Sequence, residues 1–301
     1  MSENCRICGS SVISSWKKGG LTRDLRPEDL RISDSQYGLT LPLFRCESCG
    51  FVFSPNREIA NLTRLYEELS DQGYEGSQEP RILQMRWLLD KVLENVADVA
   101  TLLDIGAGTG LLVREARERG IDARGVEPSK ALVDYARTEN GIELEQGVYP
   151  HPALVGMKFD AVLLVDVIEH VADPMRLLTD CRNALAPGGA LVVVTPDVSS
   201  LAARMFADKW WHYRLAHVCY FDRMSLDRAA LKADLKPTRW LRAKWFFSIG
   251  YLAERFEEYL PMGKLNRWMK RMPVFRWLYE RVVPLNLFDS YIVVLKKRNE
   301  G

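Results

Sequence analysis

Between residues 99 and 198 the chain alternates nearly all-apolar runs with amphipathic stretches. VATLLDIGAG, IDARGVEP, FDAVLLVDVIEH (159–170) and GGALVVVTPD (189–198) predict strands buried on both faces. LLVREARERG and PMRLLTDCRNAL, lying between them, predict helices. This alternation implies an α/β fold with a doubly wound parallel sheet, whose ligands bind at the carboxyl ends of the strands. SYIVVLKKR (290–298) reads as a last strand and TRWLRAKWFF (238–247) as its antiparallel partner. Upstream, LTRLYEELS (62–70) and RILQMRWLLDKVLENV (81–96) space apolar residues at three- and four-residue steps, which predicts a helical connector over 57–98. The polar stretch DQGYEGSQEP separates them as a loop, and its Tyr74 is either a surface residue or one that reaches a neighbouring site.

Composition adds bounds. A chain of 301 residues with 47% hydrophobic and 27% charged residues has the make-up of a soluble globular protein. No uncharged apolar run is long enough to cross a membrane, and the N-terminus lacks the blocks of a signal peptide. A cytoplasmic, reducing setting is expected, with thiols or metal ligands rather than disulfides. The formal net charge of +1 hides an asymmetry, because residues 236–301 carry 14 Lys/Arg against 6 Asp/Glu.

Cys5-x-x-Cys8 and Cys46-x-x-Cys49 are each followed by glycine, Gly9 and Gly50. Each pair predicts a tight knuckle, and two knuckles supply four sulfurs for a tetrahedral Zn2+. Four thiolates leave no open position, so the expected zinc is structural: it staples a domain of about fifty residues whose core is too small to hold alone. A chelator is expected to melt residues 1–55 and leave the remainder folded. Cys181 and Cys219 have no partner at ligand spacing and read as ordinary buried thiols.

The glycines run Gly106-x-Gly108-x-Gly110, with Leu at 111, not the G-x-G-x-x-G of dinucleotide sites. Asp104, two positions earlier, would repel a pyrophosphate but suits a cationic amino-acid ligand. Glu127, at the next strand end, is placed to accept both ribose hydroxyls. With DIGAGTG, GVEPS, FDAVLLVDVIEHVADP and ALAPGGALVVVTP in this order, residues 80–235 resemble the class I S-adenosylmethionine (SAM) dependent methyltransferases. The resemblance implies a Rossmann-like seven-stranded sheet and SAM as cofactor. It implies that Gly106, Gly108 and Gly110 let the backbone approach the methionine part of SAM. Glu127 would hold the ribose with Pro128 or Ser129 beside it, Gln146-Gly147-Val148 would border the adenine, and Asp166 would face the cofactor. His170, in VIEHV, either approaches the sulfonium or the acceptor or is a helix-start residue held by Glu169.

Just past the fifth strand comes KWWHYRLAHVCYF (209–221). His217-Val-Cys-Tyr220-Phe221 resembles the H-x-x-Y-F element of small-molecule methyltransferases, including zinc-bearing sugar C-methyltransferases whose preceding Tyr-x-Glu supports a basic His. Here Ala216 stands in place of the Glu and Arg214 in place of the Tyr. His217 is therefore either a lone base or a residue tying the loop to the sheet. The missing carboxylate favours O-methylation over removal of a carbon-bound proton. Trp210, Trp211, His212 and Tyr220 are expected at the acceptor, where the tryptophans either stack on a flat ring or cover the floor.

The organisation expected is a zinc-ribbon-like domain over 1–56, the connector over 57–98, and a SAM-binding domain over 99–301 with a cap inserted at about 248–287. The expected activity is SAM-dependent methyl transfer to a hydroxyl on a small molecule, with a sugar, nucleotide sugar or lipid-linked glycan favoured. RNA methylation, sugar C-methylation and a non-catalytic SAM-binding scaffold are the rivals. Against RNA, residues 1–55 are close to charge-balanced and lack a basic face. In the cap, Trp268, Met269, Met272, Phe275 and Trp277 alternate with Lys270, Arg271 and Arg276, a pattern either of a solvated helix face or of peripheral membrane contact.

Overall fold

The computed structural model describes residues 3–31, 37–70, 78–256 and 273–298. Its central sheet is built from β4 (Thr101–Ile105), β5 (Asp122–Glu127), β6 (Glu145–Gln146), β7 (Phe159–Val165), β8 (Leu185–Pro196), β10 (Leu235–Arg242) and β13 (Ser290–Lys297). The order across the sheet is β10-β13-β8-β7-β4-β5-β6. Strands β4 to β8 are mutually parallel, and β13 runs antiparallel to both of its neighbours. The expected seven-stranded, doubly wound sheet is what forms.

Period-two alternation explains why these strands read as unbroken apolar runs. Along β7, Val162 and Leu164 enter one core while Ala161 and Leu163 enter the other; along β8, Leu191 and Val193 oppose Val192 and Val194. One face is covered by α2 (Gln78–Asn95) and α3 (Leu111–Glu118), through Leu88, Leu89, Val92 and Val113. The other is covered by α5 (Pro174–Ala184) and α7 (Arg223–Lys232), through Leu177, Cys181, Leu226 and Ala229. Cys181 is thus the ordinary buried thiol its spacing predicted.

Three sequence expectations shift. Helix α2 begins at Gln78, inside the stretch read as loop, and Tyr74 lies outside the described residues. The partner of β13 starts at Leu235 and ends at Arg242, whereas Trp245–Ser248 leaves the main sheet as β11 and forms a separate ladder with β12 (Val282–Leu285). His170 lies in a single 3-10 turn, Ile168–His170, before α5 rather than at a helix start. Of the basic cap, Trp268 to Met272 lie outside the described residues, whereas Trp277 is exposed with Arg281 over its ring at 4.2 Å. Among the described residues no helix is long and apolar enough to cross a membrane.

The N-terminal strands β1 (Ile13–Lys17), β2 (Leu43–Cys46) and β3 (Val52–Phe53) form an antiparallel sheet whose fourth strand comes from far along the chain. That strand, β9 (Cys219–Tyr220), pairs Val52 with Tyr220 and Phe53 with Cys219. Cys219, read from the sequence only as a buried thiol, therefore also sits in this seam. Arg6, inside the first knuckle, donates to the Ala172 and Ser54 carbonyls across the same seam. The cysteine-bearing hairpins and the aromatic stretch thus share one sheet.

Candidate active site

The glycine loop follows β4 at the carboxyl edge of the sheet. Gly106 and Gly110 both adopt φ of +73°, a left-handed conformation that disfavours side chains. A Cβ at Gly106 would stand 2.6 Å from Val167 Cγ2, so the loop lies directly against the end of β7. Glu127 fixes the loop from the next strand: its Oε2 accepts the Gly108 amide at 2.8 Å and its Oε1 accepts the Ser129 amide at 2.9 Å. One lone-pair direction on each oxygen is left over. Ser129 caps α4 (Lys130–Asn140) and donates its hydroxyl to the Leu69 carbonyl at 2.7 Å, tying the helical connector to the loop. Burial, with Glu127 nearby, pushes the Asp104 carboxyl up to about 8; burial also raises Glu127. Pro128 is partly buried beside Glu127, and Gly147 donates to the Glu127 carbonyl at 2.9 Å. Val148 is 47% exposed at the rim. Asp166 follows β7 with φ of +52° and a buried Oδ1 that has no partner; burial and then Asp289 push its carboxyl up to about 7.

Next to this edge lies a cluster of imidazoles. His170 Nδ1 is 2.9 Å from the Ala216 carbonyl oxygen and 2.7 Å from the Tyr66 hydroxyl. The position where a carboxylate side chain was missed, Ala216, therefore acts through its backbone. The His217 ring stands edge-on to His170 at 4.7 Å and stacks on His212 at 5.8 Å. Burial lowers both His170, to about 4, and His217. His212 is the histidine of this cluster with an open edge, its side chain 18% exposed, and its Nε2 is 3.3 Å from the buried Asp289 Oδ2. Burial would raise the Asp289 carboxyl, but His212, Trp210 and the residue's own backbone amide together outweigh it and the net direction is down. Arg214 is buried with its guanidinium 5.6 Å from the Tyr37 ring centre.

The aromatic stretch divides by burial. Trp210 is 0% exposed, edge-on to Tyr213 at 5.2 Å and to His212 at 5.0 Å, and Tyr220 is buried against it. These two form the floor behind the histidines. Trp211 is partly exposed and packs edge-on to Phe206. Two grooves of about 430 and 450 Å³ lie elsewhere, one beside Trp87 and Arg242 and one beside Trp16 and Tyr213, and neither includes the histidines.

The sequence profile of the methyltransferase domain family matches residues 77–239, more than half of the chain. The chain belongs to this methyltransferase family. A ubiquinone biosynthesis O-methyltransferase of Cereibacter sphaeroides is 38% identical over 116 residues, 36% of this chain and 47% of that protein. One from Dinoroseobacter shibae is 37% identical over 99 residues, 31% of this chain and 40% of that protein. The methyltransferase thus spans less than half the length of these curated relatives. Among solved structures, a SAM-dependent methyltransferase from Archaeoglobus fulgidus superposes with a TM-score of 0.50 at 16% identity, over 75% of this chain and 100% of that one. A chain from the Haloferax volcanii complex of a methyltransferase with its Trm112 activator gives 0.51 at 17% identity, over 75% and 94%. These likenesses show the class I SAM-dependent methyltransferase fold.

At the other side of the shared sheet, the methyltransferase brings the sulfurs of Cys5, Cys8, Cys46 and Cys49 within 4.8 Å of one another. Cys5 and Cys49 sulfurs are 3.6 Å apart, and those of Cys8 and Cys46 3.4 Å. Gly9 and Gly50 both adopt φ of +78°, and each donates its amide to the carbonyl of the first cysteine of its knuckle at 2.8 Å. The two knuckles repeat one geometry. Tyr66 and Asp289 are the residues that sequence reasoning missed. No local signal marks Tyr66 on its helix; an acid just before an apolar strand, in NLFDSYIVV, is the signal for Asp289.

Proposed function

We propose that this methyltransferase transfers the methyl group of SAM to a hydroxyl oxygen of a small molecule bound beside His212. The observation that carries the reading is His212 itself. It is the open-edged histidine of the cluster, it has the buried Asp289 carboxylate at 3.3 Å, and the charge of Asp289 reaches Asp166 at the end of β7. Glu127 accepts the ribose hydroxyls on its remaining lone pairs, and the glycine loop follows the methionine moiety. Asp104 faces its ammonium, and Gly147 and Val148 border the adenine. His212 accepts the acceptor's O–H proton, the oxygen forms a bond to the methyl carbon, and the carbon–sulfur bond breaks with its electron pair moving to the sulfonium. S-adenosylhomocysteine and the methyl ether leave. Positioning in line supplies most of the rate, because the sulfonium is already activated. His217, read from the sequence as either a lone base or a tie between loop and sheet, and His170, read as either approaching the sulfonium or acceptor or held by Glu169, stand behind His212 in this reading. The names of the relatives support oxygen as the methylated atom.

The four cysteines hold a structural zinc in the same reading. Their sulfur spacing suits a tetrahedral ion with Zn–S bonds of about 2.3 Å. The sugar or glycan acceptor expected from the sequence is one class of hydroxyl acceptor within this proposal, and peripheral membrane contact through residues 264–281 remains a separate expectation.

The test uses SAM with a 13C-labelled methyl group and extract from the host, divided into small-molecule, lipid, RNA and protein fractions. A methoxyl signal in the small-molecule or lipid fraction is expected. Label in RNA, or on carbon, overturns the proposal. Tight S-adenosylhomocysteine binding with no transfer to any fraction favours the scaffold reading.

A further inference from the structure

The N-terminal sheet borders a groove of about 450 Å³ that the proposed reaction does not use. Trp16 lines it and is left 40% exposed. In the pairing of β1 with β2, Ser15 stands opposite Phe44 and Lys17 opposite Leu43, so Trp16 is the extra residue of a β-bulge. A bulge gives up one ladder pairing and re-aims a side chain. The Trp16 indole N–H donates to the Tyr213 hydroxyl at 3.0 Å, and the Arg45 guanidinium lies over the ring, 4.9 Å from its centre. The indole is thereby held in one orientation, with part of its surface open to the groove.

Three cations line the same groove: Lys17, Arg45 and Arg204, the last from α6 (Leu201–Phe206). Lys17 pairs with Asp208, whose side chain is 85% exposed. Among the described residues, neither Arg45 nor Arg204 has a carboxylate partner. Asp222 supplies an acceptor: its Oδ1 takes the Ser225 amide and hydroxyl at the start of α7, while its Oδ2 is turned towards Gly50. A Cβ at Gly50 would stand 2.6 Å from that oxygen, so only glycine leaves it room to accept from a ligand.

Each part calls for a different chemical group. An indole flanked by a guanidinium stacks on a flat heteroaromatic ring, and unpaired guanidiniums bind phosphate oxygens. A carboxylate oxygen accepts sugar hydroxyls. The volume is that of a small-molecule site. Three cations against Asp208 and Asp222 leave a surplus of one positive charge, which suits one phosphate group better than a phosphate chain. We infer that this groove is a mononucleotide site, with the base on Trp16, the ribose hydroxyls on Asp222 and the phosphate on Arg45 and Arg204. Trp210, edge-on to both Tyr213 and His212, stands between the groove and the histidines. The nucleotide is therefore not the methyl acceptor, and the inference does not rest on the function proposed above.

The test is calorimetric titration of the full chain, saturated with S-adenosylhomocysteine so that the adenosyl site is filled. UMP, uridine and inorganic phosphate are the separate probes. One UMP per chain is expected to bind, with uridine and phosphate each at least about tenfold weaker. Trp16→Ala and Arg204→Gln, both at exposed side chains, should each weaken UMP about tenfold and leave S-adenosylhomocysteine affinity unchanged. No binding at millimolar UMP, phosphate alone binding as tightly as UMP, or UMP affinity unchanged in Trp16→Ala overturns the inference. An RNA oligonucleotide that displaces UMP at far lower concentration than UMP itself needs overturns it in favour of a nucleic-acid strand. Each of these failures leaves the methyl transfer untouched, and UMP binding by a chain that methylates nothing keeps the site while refuting the function.

Discussion

Tyr220 stands opposite Val52 in an antiparallel pair, and that pair joins the cysteine hairpins to the segment carrying His212 and His217. The knuckles therefore buttress the segment proposed to face the acceptor. Stripping zinc with a strong chelator should raise amide exchange at residues 210–221 as well as 3–55 and lower methyl transfer at least tenfold. S-adenosylhomocysteine affinity should hold, because the glycine loop and Glu127 belong to the central sheet. Hydrogen exchange with and without chelator checks both halves.

Glu127 ties the loop and is proposed to hold the ribose. Glu127→Ala should weaken S-adenosylhomocysteine binding by at least tenfold, in line with about 1.5–3 kcal/mol for hydrogen bonds to a charged group. Calorimetric titration measures it, and affinity within twofold of wild type would remove Glu127 from the ribose.

Asp104 sets a pH dependence. Its carboxyl is raised from 3.8 to about 8 by burial and then by Glu127, so the folded chain holds a proton that the unfolded chain has lost. Stability of the ligand-free chain is then full below about pH 4 as far as this group goes, and falls as pH rises through about 8. Asp104→Asn, which cannot ionise, should flatten the decline in urea midpoint between about pH 5 and about pH 8.5; Glu127, raised in the same direction, leaves a residual slope. An unchanged slope would mean that Asp104 is charged in the folded chain.

His212→Gln should lower kcat by about a hundredfold or more, the usual share of a general base, with S-adenosylhomocysteine affinity unchanged. Asp289→Asn should act in the same direction, since the carboxylate orients the ring. Turnover near the wild-type rate in His212→Gln would hand the proton to another group.

Trp210 and Trp211 should separate by stability rather than by chemistry. Trp210→Ala empties a fully buried site and should cost about 3–5 kcal/mol in denaturant unfolding. Trp211→Ala, partly exposed, should cost far less.

The central sheet was legible because strands buried on both faces leave continuous apolar runs, and because DIGAGTG and GVEPS must stand at fixed strand ends. The cysteine knuckles were legible because each turn needs its glycine. Long-range pairing was not. Nothing local in Cys219–Tyr220 announces a partner at Val52–Phe53, since two residues are too short for a period. The hydrogen bonds of His170 go to a backbone carbonyl and to Tyr66, over a hundred positions away, and backbone acceptors carry no sequence signature. Asp289 carries a local signal, an acid just before an apolar strand, but its partner His212 is 77 positions away and nothing in the sequence pairs them.

The two-residue strand β9 also bears on how the chain is made. Phe53 leaves the ribosome early and must wait for Cys219, so the outer edge of the cysteine hairpin stays open through most of synthesis. During that interval the edge offers its amides and carbonyls to any neighbouring nascent strand. If the two knuckles take the proposed zinc ahead of Cys219, the ion would keep the hairpin twisted and closed on itself, and zinc supply in the host would then bear on yield as well as on the finished fold.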